Sequence, residues 1–235
     1  MNIQNSVALV TGANRGLGLA FARELLARGA RKVYAAARDP SSVTLPGVVP
    51  VRLDVTQADQ IEALAREAGD VTLLVNNAGI IRAGNLLEAG SLGAARAELE
   101  TNYLGPLATS RAFAPILAAN GGGAIINVLS VLSWVALPTT ATYSASKAAA
   151  WALTNGLRSE LRAQNTQVLG LHVGYIDTDM VRAIDAPKSA PEDVVRATLA
   201  ALEAGQDEIL ADEISRSVKH GLSSERGVYL GAPAA

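Results

Sequence analysis

Tyr143, Ser144, Ala145, Ser146 and Lys147 are consecutive, and Ser130 lies thirteen positions before the tyrosine. A phenol, an ammonium and a hydroxyl are therefore available to a single carbonyl oxygen. Residues 142–162 read as a helix, in which Tyr143 and Lys147, at i and i+4, share one face. Tyrosine alone is a poor acid-base group at neutral pH, since with a pKa near 10 only about one molecule in a thousand is phenolate. An ammonium roughly 4.5 Å away, at an effective dielectric of about 20, contributes about 3.7 kcal/mol, or between two and three pH units. Lys147 is thus expected to bring Tyr143 into the working range of a general acid-base.

A second set of residues has the chemistry of a nucleotide site. Thr11, Gly12, Ala13, Asn14, Arg15, Gly16, Leu17 and Gly18 fall between an apolar run, Val7 to Val10, and a helical pattern carrying Phe21, Leu25 and Leu26. In that position backbone amides at the helix start can face a pyrophosphate, and the glycines allow it to come close. At the end of the second strand, where a carboxylate would hold a ribose 2′-hydroxyl, the chain has Ala37 and then Arg38. Arg38, with Arg15 nearby, can pair with a 2′-phosphate, which predicts NADP(H) over NAD(H); the alternative is that both arginines are solvated surface residues. Asp39, before Pro40, reads as a turn residue. Asp54, followed by Val55, either approaches the adenine ring or caps the helix starting near Gln57. Asn76, Asn77, Ala78 and Gly79 either support exposed backbone or touch the cofactor.

Alternating strand and helix signals supply the frame for both sets. Strands are expected at Val7–Val10, Lys32–Ala37, Val48–Asp54, Val71–Val75, Ala124–Leu129, Val168–Val173 and Glu208–Ala211. Helices are expected from Leu17 to Gly29, at Ile61–Ala68, Leu92–Leu117, 142–162 and Pro191–Ala204, with bends at Pro106 and Pro115. This order predicts an α/β fold, a doubly wound parallel sheet of about seven strands flanked by helices, forming one domain over residues 1–235.

Composition agrees and excludes other classes. Hydrophobic residues make up 49% of the 235 but aromatics only 4%, so Ala, Val, Leu and Ile must fill the core. A formal charge of -2 offers no basic stripe for nucleic acid. There is no cysteine, and the two histidines, His172 and His220, are far apart, so no metal site is expected. No apolar run reaches the roughly 18 residues of a membrane span, and nothing resembles a secretion signal; a soluble, cytoplasmic protein is expected.

Together these pieces resemble the short-chain dehydrogenase/reductase family in its shorter, single-domain form, over essentially the whole chain. The family's glycine pattern matches Gly12, Gly16 and Gly18, and its Asn-Asn-Ala-Gly matches residues 76–79. Its active-site asparagine, serine, tyrosine and lysine match Asn102, Ser130, Tyr143 and Lys147. The resemblance implies hydride transfer between nicotinamide C4 and a carbonyl or alcohol carbon. Tyr143 would move the proton, Lys147 would hold the ribose hydroxyls, Ser130 would bond the substrate oxygen and Asn102 would anchor a water linking Lys147 to solvent. Gly174, Ile176 and Thr178 fall where the family contacts the nicotinamide, although Val173 replaces the usual proline. His172 reads as a packed strand residue. The resemblance also implies a homodimer or homotetramer, formed partly through the helix of residues 92–117 and the Tyr143 helix.

Ile81, Leu132, Trp134, Leu137, Tyr175 and Met180 flank the catalytic positions and predict an apolar wall suited to a small hydrophobic ketone or alcohol. Only a short stretch, Thr178 to Pro191, is available to cover it. Two other readings share these residues: an epimerase or dehydratase with the same Tyr-x-x-x-Lys pair, against which the glycine spacing argues, and a non-catalytic nucleotide sensor.

Overall fold

The computed structural model describes residues 1–82 and 84–231. Seven strands, β1 (Val7–Thr11), β2 (Lys32–Ala37), β3 (Val49–Arg52), β4 (Leu73–Asn76), β5 (Gly123–Val128), β6 (Thr166–His172) and β7 (Glu208–Leu210), form one sheet in the order β3-β2-β1-β4-β5-β6-β7. Every pairing is parallel. The order reverses between β1 and β4, and ligands of open α/β sheets bind at such a switch point, beyond the carboxyl ends of the strands.

Alternation along the strands sorts their side chains into two cores. Ala8 and Val10 face α1 (Gly16–Ala27) and α6 (Pro191–Glu203), whereas Val7 and Leu9 face α2 (Ala58–Glu67), α4 (Gly105–Ala119) and α5 (Ala141–Glu160). The chain's two phenylalanines are divided between them, Phe21 on the first side and Phe113 on the second, both fully buried. Each contributes about 1.5–3 kcal/mol by leaving water.

The helical stretch expected over residues 92–117, with bends at Pro106 and Pro115, is interrupted just before Pro106. It begins as α3 (Ser91–Leu99), widens into one π turn at Glu100–Leu104, and continues as α4. Pro106 accounts for the break. It has no N–H for the Asn102 carbonyl and its ring crowds that oxygen, so the turn before it opens. Pro115 lies inside α4 without ending it. One helix absent from the sequence expectations, α7 (Glu213–Gly221), follows β7 and is capped by Asp212, which accepts from the Ser215 amide at 2.8 Å.

Asn76 and Asn127, directly paired between β4 and β5, form a buried polar chain across the sheet. Asn76 donates to Asn127 at 2.9 Å and to Ser110 at 3.1 Å, and accepts from Thr109 at 2.7 Å. Asn127 in turn donates to Thr154 of α5 at 2.9 Å. Among the described residues no helix is long and apolar enough to cross a membrane.

Candidate active site

The turn after β1 is held from behind by its own side chains. Thr11 Oγ1 accepts from the Asn77 and Ala78 amides at 2.9 and 3.0 Å, and Asn77 Nδ2 donates to the Thr11 carbonyl at 2.8 Å. Asn77 therefore acts as support. Gly12 and Gly16 adopt positive φ values of 66° and 53°, which only glycine adopts without strain. A methyl group on Gly18 would lie 2.1 Å from the Gly12 carbonyl oxygen, so helix and loop meet at backbone contact. The first turn of α1 has no side-chain cap and no acidic residue, and Leu17 turns its side chain into the core. Bare amides at a positive helix end fit a dinucleotide's pyrophosphate. Thr178 comes against the same turn, its Cγ2 lying 3.2 Å from where a methyl on Gly16 would be.

The residues around this cradle divide by role. Arg38 is exposed just past β2, with no hydrogen-bond or ion-pair partner among the described residues. Arg15 instead has Asp179 at 3.3 Å, an exposed pair of small energetic weight. Asp39 accepts from both the amide and hydroxyl of Ser41, which hold its carboxyl below the usual range, as a turn residue should. Asp54 accepts from the amide and hydroxyl of Thr56 at 3.0 and 2.8 Å, so it closes the turn before α2, whose first position is flanked by Gln57. Val55 is buried in the second core. The Gly174 amide donates to Asp212 at 2.6 Å, and Ile176 bridges to Ser189, closing the base of the 175–189 loop.

At the carboxyl ends of β5 and β6 the proposed catalytic groups converge. Ser130 is extended, with its Oγ accepting from the Leu132 amide at 3.1 Å. Ser133, the other serine in this turn, is occupied: its Oγ accepts from the Ser130 amide at 3.3 Å. Lys147 is buried and donates to the Val128 carbonyl at 2.8 Å, with its Nζ 5.7 Å from the centroid of the Tyr143 ring. A methyl on Gly79 would fall 3.2 Å from Asn102 Oδ1 and 3.8 Å from Lys147 Nζ, which brings these three together.

Asn102 is a clamp. Its Oδ1 accepts from the Ile80 amide at 2.8 Å, while Nδ2 donates to the Ile80 carbonyl and to Ser146 Oγ, each at 2.9 Å. Ser146 Oγ donates onward to the Tyr143 carbonyl at 2.7 Å, tying α5 to the π turn. Both side-chain amide hydrogens are thus committed to protein, so a water of the kind the resemblance implied would have to donate, to Oδ1 or to the main-chain carbonyl that Pro106 leaves without its helical N–H.

Electrostatics differ from the expected tuning. Tyr143 is only half-buried by surface, yet the surrounding protein desolvates its hydroxyl and raises its pKa above the usual tyrosine value; the Ser130 hydroxyl lowers it and the Glu98 carboxylate raises it further. The Lys147 ammonium faces the Val128 carbonyl and is not among these causes. Desolvation brings Lys147 itself down to about 8. The phenol is therefore held protonated, ready to donate, and the lowering of its pKa expected from Lys147 does not occur.

Lys147 gives a pH prediction. Between pH 8 and 10.5 the folded protein has released the Lys147 proton while the unfolded chain retains it, so stability rises with pH there, by about 3 kcal/mol in all. Tyr143 acts oppositely above pH 10, where the unfolded chain ionises and the folded protein does not. Thermal midpoints should climb from pH 8 towards 10, and Lys147→Met should flatten that climb; an equal climb in the variant would refute it.

Sequence reasoning missed Glu98. It is fully buried four residues before Asn102; its Oε1 accepts from the Arg82 amide at 2.6 Å and its Oε2 has no partner among the described residues. The i, i+4 spacing to Asn102 was the available signal, since both then grip the segment after β4. Of the expected apolar wall, Ile81, Leu132 and Tyr175 are half-buried, and Leu137 and Met180 are exposed. Trp134 instead packs inward, stacked at 3.8 Å on His172 and edge-on at 6.3 Å to Trp151.

Known proteins resemble this chain in sequence and in structure. The family model for short chain dehydrogenases matches residues 6–189. A short chain dehydrogenase of Burkholderia cenocepacia, solved in complex with NADP, is 47% identical, with a TM-score of 0.94 over 99% of this chain and 100% of that one. A short chain dehydrogenase/reductase of Burkholderia phymatum, solved with NAD, is 26% identical, with a TM-score of 0.85 over 100% and 99%. The 3-oxoacyl-acyl-carrier-protein reductase FabG of Vibrio cholerae is 33% identical over 241 positions, covering 98% of this chain and 94% of its own. With its all-parallel seven-stranded sheet, glycine turn and family-wide match, this chain belongs to the short-chain dehydrogenase/reductase family of oxidoreductases.

Proposed function

We propose that the chain is an NADP(H)-dependent oxidoreductase acting between a carbonyl and an alcohol on a small hydrophobic substrate. The observation that carries this reading is the meeting of Ser130, Tyr143 and Lys147 beside a bare helix N-terminus at the sheet's switch point. When bound, the dinucleotide supplies or accepts a hydride. Gly12 to Gly18 would hold its pyrophosphate, Arg38 its 2′-phosphate, and Lys147 its ribose hydroxyls.

In the reducing direction the Tyr143 hydroxyl gives its proton to the substrate oxygen as that oxygen gains negative charge, and Ser130 Oγ donates a hydrogen bond to the same atom. In the oxidising direction Tyr143 takes the proton back. Burial raises the Tyr143 pKa, so at neutral pH the phenol is in the protonated state that donates. The exposed Leu137 and Met180 support an open, apolar rim. An NADPH-consumption assay across a panel of ketones, aldehydes, sugars and acyl thioesters tests the whole reading. Turnover of hydrophobic ketones is expected, and NADPH binding with no turnover on any substrate would leave a nucleotide sensor.

Dinucleotide choice rests on the unpartnered Arg38 and on the NADP-bound relative at 47% identity. A charge-assisted, two-pronged contact contributes about 1.5–3 kcal/mol. Arg38→Ser should therefore lower the NADP/NAD ratio of kcat/KM by about 10- to 100-fold. An unchanged ratio would remove Arg38 from the site.

A further inference from the structure

Behind Ser130 lies a group of side chains that the proposed chemistry does not use. His172, at the end of β6, is fully buried. Its Nδ1 is 3.2 Å from the Ser130 carbonyl oxygen, and its Nε2 is 3.5 Å from Glu208 Oε1 at the start of β7. One ring face stacks on Trp134 at 3.8 Å. From α7, Lys219 reaches Glu208 Oε2 at 2.6 Å and lies 5.0 Å from the Trp134 ring centroid.

The chemistry of the two neighbours constrains the ring. A carbonyl oxygen can only accept. Glu208 is ion-paired with Lys219 at 2.6 Å and partly open to solvent, so it is a carboxylate at neutral pH without His172 and can only accept. A neutral imidazole has a single N–H, and either tautomer would aim a lone pair at an acceptor. Only the doubly protonated ring turns an N–H towards both sides: Nε2, buried and without a hydrogen bond among the described residues, then meets the Glu208 carboxylate as a charge 3.5 Å away, and the stacked indole favours that cation. Lys219 is the like charge opposing it, with the Glu208 carboxylate between them.

We propose that His172 is a positioning residue for Ser130, carrying a proton on both ring nitrogens so that one donates to the Ser130 carbonyl while the other faces Glu208. This rests on the role of Ser130 given above. The Ser130 amide is held by Ser133 Oγ and its carbonyl accepts from the Ser133 amide at 2.9 Å; His172 adds the second bond to that carbonyl, so that the Oγ keeps its direction towards Tyr143. The carboxyl-terminal β7–α7 unit thereby becomes part of the reaction centre without touching substrate.

Two measurements test this. Nitrogen-15 NMR of histidine-labelled protein, with His220→Gln to assign the second ring, should show both His172 nitrogens as donors at pH 7. A lone-pair signal from either nitrogen overturns the proposal, whatever the enzyme's activity. In kinetics, His172→Phe keeps the stack and removes both N–H groups. It should lower kcat by about 10- to 100-fold, as lost orienting partners do elsewhere, with NADPH affinity near the parent's. Should that variant fail to fold, Glu208→Gln, at a partly exposed position, should lower kcat and remove the Nε2 proton signal. Parent kcat in either folded variant overturns the positioning role. Two protonated nitrogens in a protein that reduces no ketone would instead count against the proposed function and leave the charged bridge standing.

Discussion

Tyr143→Phe should lower kcat for ketone reduction by about 100- to 10,000-fold, the usual contribution of a positioned acid-base group. The substitution removes one oxygen from a half-buried ring and leaves α5, the Lys147 to Val128 bond and the Asn102 clamp in place. Dinucleotide affinity and thermal stability should therefore stay near those of the parent, and the loss should fall on kcat. Stopped-flow NADPH oxidation with saturating ketone reads this directly. A variant as fast as the parent would eliminate the phenol as proton donor. Because burial raises the Tyr143 pKa, ionisation of the phenol should cause no fall in the parent's reduction rate between pH 6 and 8; any change near pH 8 should come from Lys147 and be absent from Lys147→Met.

The second large effect is expected at Gly18. Its missing side chain admits the Gly12 carbonyl oxygen at 2.1 Å and Asn77 Nδ2 at 2.6 Å from the position a methyl would take. Neither neighbour can yield cheaply, since one is backbone and the other holds the Thr11 carbonyl. Gly18→Ala must push α1 away from the turn. Overpacking costs about 1–3 kcal/mol, equivalent to roughly 3–10 °C in Tm for a chain of this size. The larger loss should be in NADPH binding, by at least about 100-fold, because the amides facing the pyrophosphate move with the helix. Gly156→Ala is the control: it sits in α5 with nothing within 4 Å and should be neutral or slightly stabilising. Fluorescence titration with NADPH and a melting curve for each variant decide the matter, and parent-like binding by Gly18→Ala would dissolve the proposed cradle.

How much of this was legible in the sequence follows from the range of the interactions. Strands and helices were readable because apolar periodicity is local, and the glycine turn because its demands fall within eight residues. The pairing of Tyr143 with Lys147 followed from helical spacing alone. Tertiary partners were not legible. The expected lowering of the tyrosine pKa assumed an ammonium free to face the phenol, whereas the Val128 carbonyl, nineteen residues away, takes it. Glu98 and Asn102 acquire their roles from a segment some twenty residues earlier, and the π turn arises from a conflict with Pro106 that periodicity cannot show. Trp134 looked like pocket wall until His172 and Trp151 were placed beside it. The helix after β7 was overlooked because its nine residues offer little repeat, although Asp212 three residues before Ser215 was a usable start signal.

The amide and hydroxyl chain from Thr109 and Ser110 through Asn76 and Asn127 to Thr154 also has a bearing on how the chain finds its native pairing. Alternating aliphatic strands are interchangeable to hydrophobic forces alone, and β4 could slide by two residues along β5 with little loss of apolar contact. Such a slide would leave two carboxamides facing hydrocarbon, at about 1–3 kcal/mol for each deserted group. A handful of polar atoms at the centre of an oily sheet therefore works as a key, admitting one alignment and turning away its near copies.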